Sequence, residues 1–238
     1  MAKKVAPAYV SREVSYDDYH WELLDRLRRK ALDVMGALNK HGLEGMVHGS
    51  VARGDVNPKS DIDIIIPETT ESFIIEGALT KSGFPIEARE VSQATPVHTV
   101  KATIYIDQML KVTFPLIPMR GKEREFYKFG GEAGISELEA RLRVPGIDKR
   151  LMLIVPTDYG HVERSVLSYE AEAARIVGVS LETVIERVRV LTRRDKIGRT
   201  GIFFKRTLQE DETFEGVLSE RLSKDPSLRR LLRQRRKR

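Results

Sequence analysis

The chain of 238 residues has no cysteine, one tryptophan and no long apolar run. Without cysteine there can be no disulfide, no thiolate metal site and no cysteine nucleophile. The fold must therefore rest on a buried core, which a chain of this length can form. No stretch approaches the roughly 18 apolar residues of a membrane span. The opening Met1-Ala2-Lys3-Lys4-Val5-Ala6-Pro7 lacks the apolar segment of a secretion signal. These absences lead to the expectation of a soluble, cytoplasmic protein that makes no membrane contact.

An excess of one charge is also missing over most of the chain. Residues 1–150 carry 22 basic and 22 acidic side chains, and the net charge of +6 arises wholly beyond them. There the charge is striped: −4 over 151–186, +7 over 187–206, −4 over 207–228 and +7 over 229–238. Two basic blocks separated by an acidic one suit contact with a polyanion, RNA or DNA.

Periodicity gives the elements. Leu23, Leu24, Leu27, Ala31, Leu32, Met35 and Leu38 recur at helical spacing between Tyr16 and Lys40, and His41-Gly42 supplies a stop. Ile62 to Ile66 is a continuous β-branched run ended by Pro67, the pattern of a buried strand. A helix is expected over 71–81, then three strands within 84–91 and 99–116, the last two forming a hairpin that turns near Asp107-Gln108. Pro156-Thr157-Asp158-Tyr159-Gly160 reads as a linker. The expected domains are 1–155 and 156–228, with a disordered basic tail at 229–238.

The informative stretch is His48-Gly49-Ser50-Val51-Ala52-Arg53-Gly54-Asp55, continuing to Ser60-Asp61-Ile62-Asp63-Ile64. A glycine after a strand lets a phosphate approach the backbone N–H groups, and the Ser50 hydroxyl adds a hydrogen bond. Asp61 and Asp63, two apart on a strand, leave the same face. Two such carboxylates repel each other unless a cation lies between them, and hard oxygen donors together with phosphates favour magnesium. Arg53 and Lys59 lie within reach of such phosphates.

In strand–turn–helix–strand order, Gly49-Ser50, Gly54, Asp61 and Asp63 resemble the signature of the nucleotidyltransferase superfamily of DNA polymerase beta, poly(A) and CCA-adding enzymes and minimal nucleotidyltransferases. The resemblance is strongest over 45–66, and the layout fits to about 116. It implies an α+β fold with a mixed sheet flanked by helices. It also implies magnesium, and ATP or another nucleoside triphosphate as substrate. Gly49, Ser50, Arg53 and Lys59 would bind the nucleotide, and Asp61 and Asp63 the metal. The family also uses a third carboxylate on a neighbouring strand as base. Glu87 is the first candidate, Glu90 and Asp107 are alternatives, and loss of the base is a fourth.

Residues 168–206 resemble a winged helix-turn-helix. Ala173 and Ala174 face inward on a first helix, Gly178-Val179-Ser180 turns, and Val184, Val188 and Leu191 stripe a second helix. The glycines of 193–206 suggest a β-hairpin wing, from which Arg193, Arg194, Lys196, Arg199, Lys205 and Arg206 would meet nucleic-acid phosphates. The whole is expected to be a magnesium-dependent nucleotidyltransferase acting on a hydroxyl, possibly at a nucleic-acid end. The alternative is a nucleotide-binding or protein-adenylylating DNA-binding regulator. A homodimer is left open.

Overall fold

The computed structural model describes residues 5–198 and 201–236. Its elements in chain order are β1 (Ser11–Ser15), α1 (Asp18–Asn39), β2 (Met46–His48), α2 (Ser50–Arg53), β3 (Ile62–Ile65), α3 (Ser72–Lys81), β4 (Ala88–Gln93), β5 (Val100–Tyr105), β6 (Leu110–Pro115) and α4 (Gly121–Gly130). They continue with β7 (Glu132–Ala133), α5 (Ile135–Glu139), β8 (Gly146–Ile147), β9 (Met152–Thr157), β10 (Gly160–Ser165), α6 (Glu170–Val177), α7 (Leu181–Ile197), β11 (Phe204–Thr207), α8 (Phe214–Lys224) and α9 (Pro226–Arg236). The fold is α+β. Among the described residues no helix is long and apolar enough to cross a membrane.

Two compact units interleave along the chain. The first takes in residues up to Leu32, Val47–Asp61, and those from Glu125 through α7. The second takes in Asp33–Met46, Ile62–Arg124 and the residues from Gly201 onward. The expected boundary near 155 is thus replaced by two excursions of the chain.

In the first unit four antiparallel strands run in the order β1-β10-β9-β8. The segment read as a linker is the β9–β10 hairpin: Thr157 faces Gly160 across the loop Asp158-Tyr159. Gly160 is needed there because a Cβ would collide with the Val14 carbonyl of β1. β1 itself lies in a stretch read as a loose start. Its sequence, Ser-Arg-Glu-Val-Ser, holds a single apolar residue, so no alternation announces it.

The α6–α7 pair forms as its sequence suggests. Gly178 closes α6 in the left-handed conformation, and the Ser180 side chain caps α7 by accepting from the Thr183 N–H. Ala173, Ala174, Val177, Val184 and Leu191 share one core with Ile147, Leu151, Leu153 and Val166. The helix pair therefore covers the four-stranded sheet instead of standing as a separate domain. The expected wing does not form among the described residues. Arg193, Arg194 and Lys196 extend α7, Arg199 lies outside the described residues, and the strand expected in the hairpin is β11. Gly198, one of the glycines that suggested a hairpin, is instead the C-cap of α7.

In the second unit the strands run β11-β4-β5-β6-β3. β3 and β6 are parallel, and the other pairs antiparallel. Ile62, Ile64 and Ile65 are buried as the β-branched run demands. The β5–β6 hairpin turns at Asp107, whose Oδ1 accepts from the Met109 and Leu110 N–H groups. Phe114 and Phe214 meet edge to face at 5.4 Å in this core. The tail expected to be disordered is helical through Arg236 in α9, with Leu228 and Leu231 buried.

Candidate active site

The glycine-serine turn lies between β2 and α2. Gly49 has φ 87° and ψ −141°, a conformation that L side chains rarely adopt. Its N–H donates to the Gly131 carbonyl at 2.9 Å, and no atom lies within 4 Å of where a Cβ would stand. The glycine thus provides open space as well as its backbone angle. The Ser50 hydroxyl donates to Ser60 Oγ at 3.2 Å, and Ser60 Oγ accepts from the Asn57 N–H at 2.9 Å. Gly54, at φ 102°, closes α2, and a Cβ there would press on the Arg143 side chain. Arg28, buried on α1, donates to the carbonyls of Val51, Ala52 and Leu142 and so fixes the end of this helix. Burial lowers its pKa to about 10.

Asp61 is exposed at the end of this segment. Asp63 lies on β3, whose neighbour β6 decides what faces it. The parallel register sets Asp63 opposite Lys111, and the ammonium lies 2.7 Å from Asp63 Oδ1. A cationic residue therefore stands beside Asp63, where the family resemblance implied a carboxylate. Glu87 and Glu90 do not reach this place. Glu87 is exposed just before β4, and β4 lies three strands from β3, about 14 Å away at the usual strand spacing. Glu90 accepts from Tyr105 Oη at 3.3 Å and pairs with Lys205 at 2.8 Å. Asp107 serves its turn. Among the described residues no group of three or more acidic or histidine side chains is arranged to hold a metal ion. Asp61 and Asp63 remain as hard oxygen donors, the type magnesium prefers.

The cations expected around the nucleotide and nucleic acid fall into two classes. Arg53 is buried, with its guanidinium forked onto Asp55 at 2.9 Å and donating to the Gly130 carbonyl at 2.5 Å. It holds the turn, its guanidinium engaged by Asp55 and the Gly130 carbonyl. Arg206 pairs with Glu212 and Glu220, and Lys205 with Glu90. Lys59, Arg193, Arg194 and Lys196 are exposed.

Residues 28–114 match the family model of the nucleotidyltransferase domain. The match covers over a third of the chain and includes the glycine-serine turn and the acidic strand. No curated protein matches the chain. A solved structure described as a CCA-adding enzyme with ATP aligns at 16% identity, over 95% of this chain and 50% of its own, with a TM-score of 0.29. The chain thus spans half the length of that enzyme, and a likeness this weak carries no argument.

A further feature, one that sequence reading missed, joins the loop after α2 to residues outside the matched segment. A cavity of about 410 Å³ opens in the first unit between β1, β10 and the loop after α2. His161, 5% exposed, lines it. Its Nδ1 is 2.7 Å from Tyr16 Oη, and its Nε2 has no hydrogen-bond partner, with Glu163 Oε2 at 3.7 Å. Burial lowers the His161 pKa against the opposing pull of Asp55 and Glu163, and burial raises that of Tyr16. Glu163 is held by Arg12 and by Arg150 at 2.6 Å. The sequence carried the residues but no signal for the cluster, because Tyr16 and His161 meet only through the β1–β10 pairing.

Proposed function

We propose that this chain transfers a nucleotidyl group from ATP or another nucleoside triphosphate to a hydroxyl acceptor, an RNA or DNA end, with magnesium as cofactor. The observation that carries the reading is the continuous segment 48–64. It joins a glycine at positive φ, a serine hydroxyl and two alternate carboxylates within a stretch that matches the nucleotidyltransferase domain. Gly49 would let a phosphate approach the backbone, and the Ser50 hydroxyl would turn from Ser60 to a phosphate oxygen. Asp61 and Asp63 would hold the magnesium ion. Bound there, it offsets the charge of the triphosphate. The acceptor hydroxyl oxygen bonds to the α-phosphorus as the bond to the bridging oxygen breaks, pyrophosphate leaves, and the hydroxyl proton passes to solvent. With Lys111 beside Asp63, the reading includes no carboxylate base on β6.

A second reading, a nucleic-acid-binding regulator, is favoured by the capped α6–α7 pair and its exposed cations. Labelled nucleotides, magnesium and total RNA, DNA and protein separate the two readings, since a transferase labels one of these fractions. Asp61→Asn and Asp63→Asn should each lower pyrophosphate release roughly 10²-fold or more. Undiminished release in both variants would overturn the metal assignment.

A further inference from the structure

We propose that the cavity around His161 is a second binding site, one that takes an uncharged nucleoside group, and that it receives the nucleoside end of the acceptor. The acceptor role rests on the nucleotidyl-transfer reading, whereas the binding site does not.

The volume of about 410 Å³ lies within the range of small-molecule sites. Among its buried polar groups is His161, whose Nε2 has no partner within hydrogen-bond distance, the Glu163 carboxylate standing off at 3.7 Å. Such an atom is costly to leave unmade and marks a place for a ligand atom. With Tyr16 Oη as the donor to Nδ1, the hydrogen of the neutral ring is on Nε2, toward Glu163. His161 therefore offers a donor to a ligand oxygen or ring nitrogen. Asp55 in the same wall, each of whose oxygens already accepts from Arg53, keeps a further lone pair on each as acceptor. A ligand with both donors and acceptors satisfies the two.

The charges argue against a phosphate. The two cations of the lining, Arg12 and Arg150, are both engaged by Glu163, and Arg150 also by Asp148. Asp17 adds negative charge, and Asp55 is offset by Arg53. Aromatic surface argues for a planar base. Tyr16 stacks on His20 with ring centroids 3.6 Å apart and meets His161 edge-on at 5.4 Å. Base-on-aromatic contacts contribute without demanding charge.

Position links the cavity to the chemistry. Asn57 lines it and donates from Nδ2 to Ser60 Oγ at 3.2 Å, and Ser60 Oγ accepts the Ser50 hydroxyl. A group seated against Asn57 thus lies two hydrogen bonds from the serine of the glycine-serine turn.

The test is calorimetric titration of the full-length protein with adenosine, guanosine, cytidine and uridine, without metal or triphosphate. Inorganic phosphate serves as the comparison probe. At least one nucleoside should saturate. Its affinity should fall roughly tenfold in His161→Ala, recover in part in His161→Gln, which restores an N–H donor, and weaken in Tyr16→Phe. Thermal melts identify variants that do not fold, and for them the His161 imidazole nitrogen resonances of the unmodified protein give a second readout, since Nε2 should shift on nucleoside addition. The proposal is overturned if no nucleoside binds, if phosphate binds in their place, or if binding is indifferent to both His161 and Tyr16. Pyrophosphate release measured separately keeps the two readings apart: release without nucleoside binding sinks this site alone, and nucleoside binding without release sinks the transfer reading alone.

Discussion

An ammonium 2.7 Å from a carboxylate stabilises that carboxylate's charge and competes with any divalent cation for it. Lys111 holds this position beside Asp63, and both side chains are about a third exposed. The pair is therefore worth about 1 kcal/mol or less after solvent screening. Lys111→Met should raise the affinity of the protein for manganese, used as a spectroscopic stand-in for magnesium, by roughly fivefold. Electron paramagnetic titration of free manganese measures it. An unchanged affinity in Lys111→Met would mean that Asp63 takes no part in cation binding. The sequence carried Asp61 and Asp63 in plain view, because they stand two apart at the head of a β-branched run. Lys111 was not legible in the same way. Its meaning depends on β6 being the strand that pairs with β3, and that pairing is a long-range choice with no local signal. The same blindness led to Glu87, which lies just before β4, in the right sheet but three strands from β3 where a neighbour was expected.

At the scale of elements, α9 shows how composition misleads. Seven of the last ten residues are basic, the usual mark of a solvated tail. Yet Leu228 and Leu231 are buried, and Arg235 enters the second unit to meet Glu123 at 2.8 Å and the carbonyls of Pro118 and Val97. The apolar spacing of Leu228 and Leu231 was present in the sequence, but the arginines around it hid it. Burial alone would raise the Glu123 pKa. Hydrogen bonds from the Arg120 and Thr99 N–H groups and from Arg235 outweigh it and lower the value from 4.5 to about 2. A carboxylate depressed in this way stabilises the fold fully above its unfolded value near 4.5, and that contribution is lost as pH falls from there toward 2. It amounts to on the order of 3 kcal/mol. Arg235→Met should therefore lower stability at pH 7 by a few kcal/mol and narrow the loss between pH 4.5 and 2, whereas Arg230→Ala and Arg233→Ala on the exposed face should each stay within about 0.5 kcal/mol. Urea unfolding at pH 7 and pH 3 reads both. Equal stability of Arg235→Met and the unmodified protein at pH 7 would show that α9 is not anchored through this pair. The α6–α7 helix pair stands on firmer local signals, Gly178 and the Ser180 cap, which is why these two helices were readable while the wing was not. A wing needs a strand partner, and β11 finds its partner in β4.

For the molecule as a whole, a net charge of +6 overstates what a polyanion can grip. Arg28 and Arg53 donate to backbone carbonyls in the interior, Arg206 and Lys205 are paired with glutamates, and Arg235 is buried. Arg193, Arg194 and Lys196 are different: they are exposed in the last turns of α7. Cations there also offset the negative end of the helix, so their presence alone does not argue for nucleic acid. The two roles respond to different variables. A helix-end role appears as a few tenths of a kcal/mol of stability. Phosphate contact appears in the salt dependence of binding, which loses about 0.9 in log–log slope for each cation removed from a duplex contact. Replacing all three residues by alanine should therefore flatten the salt dependence of binding to a random duplex by about 2 to 3 while leaving the midpoint of unfolding nearly unchanged. Fluorescence anisotropy across a salt series measures the slope. If the slope of the triple variant equals that of the unmodified protein, α7 does not touch the backbone of the duplex, and the charge stripe at 187–206 serves the helix alone.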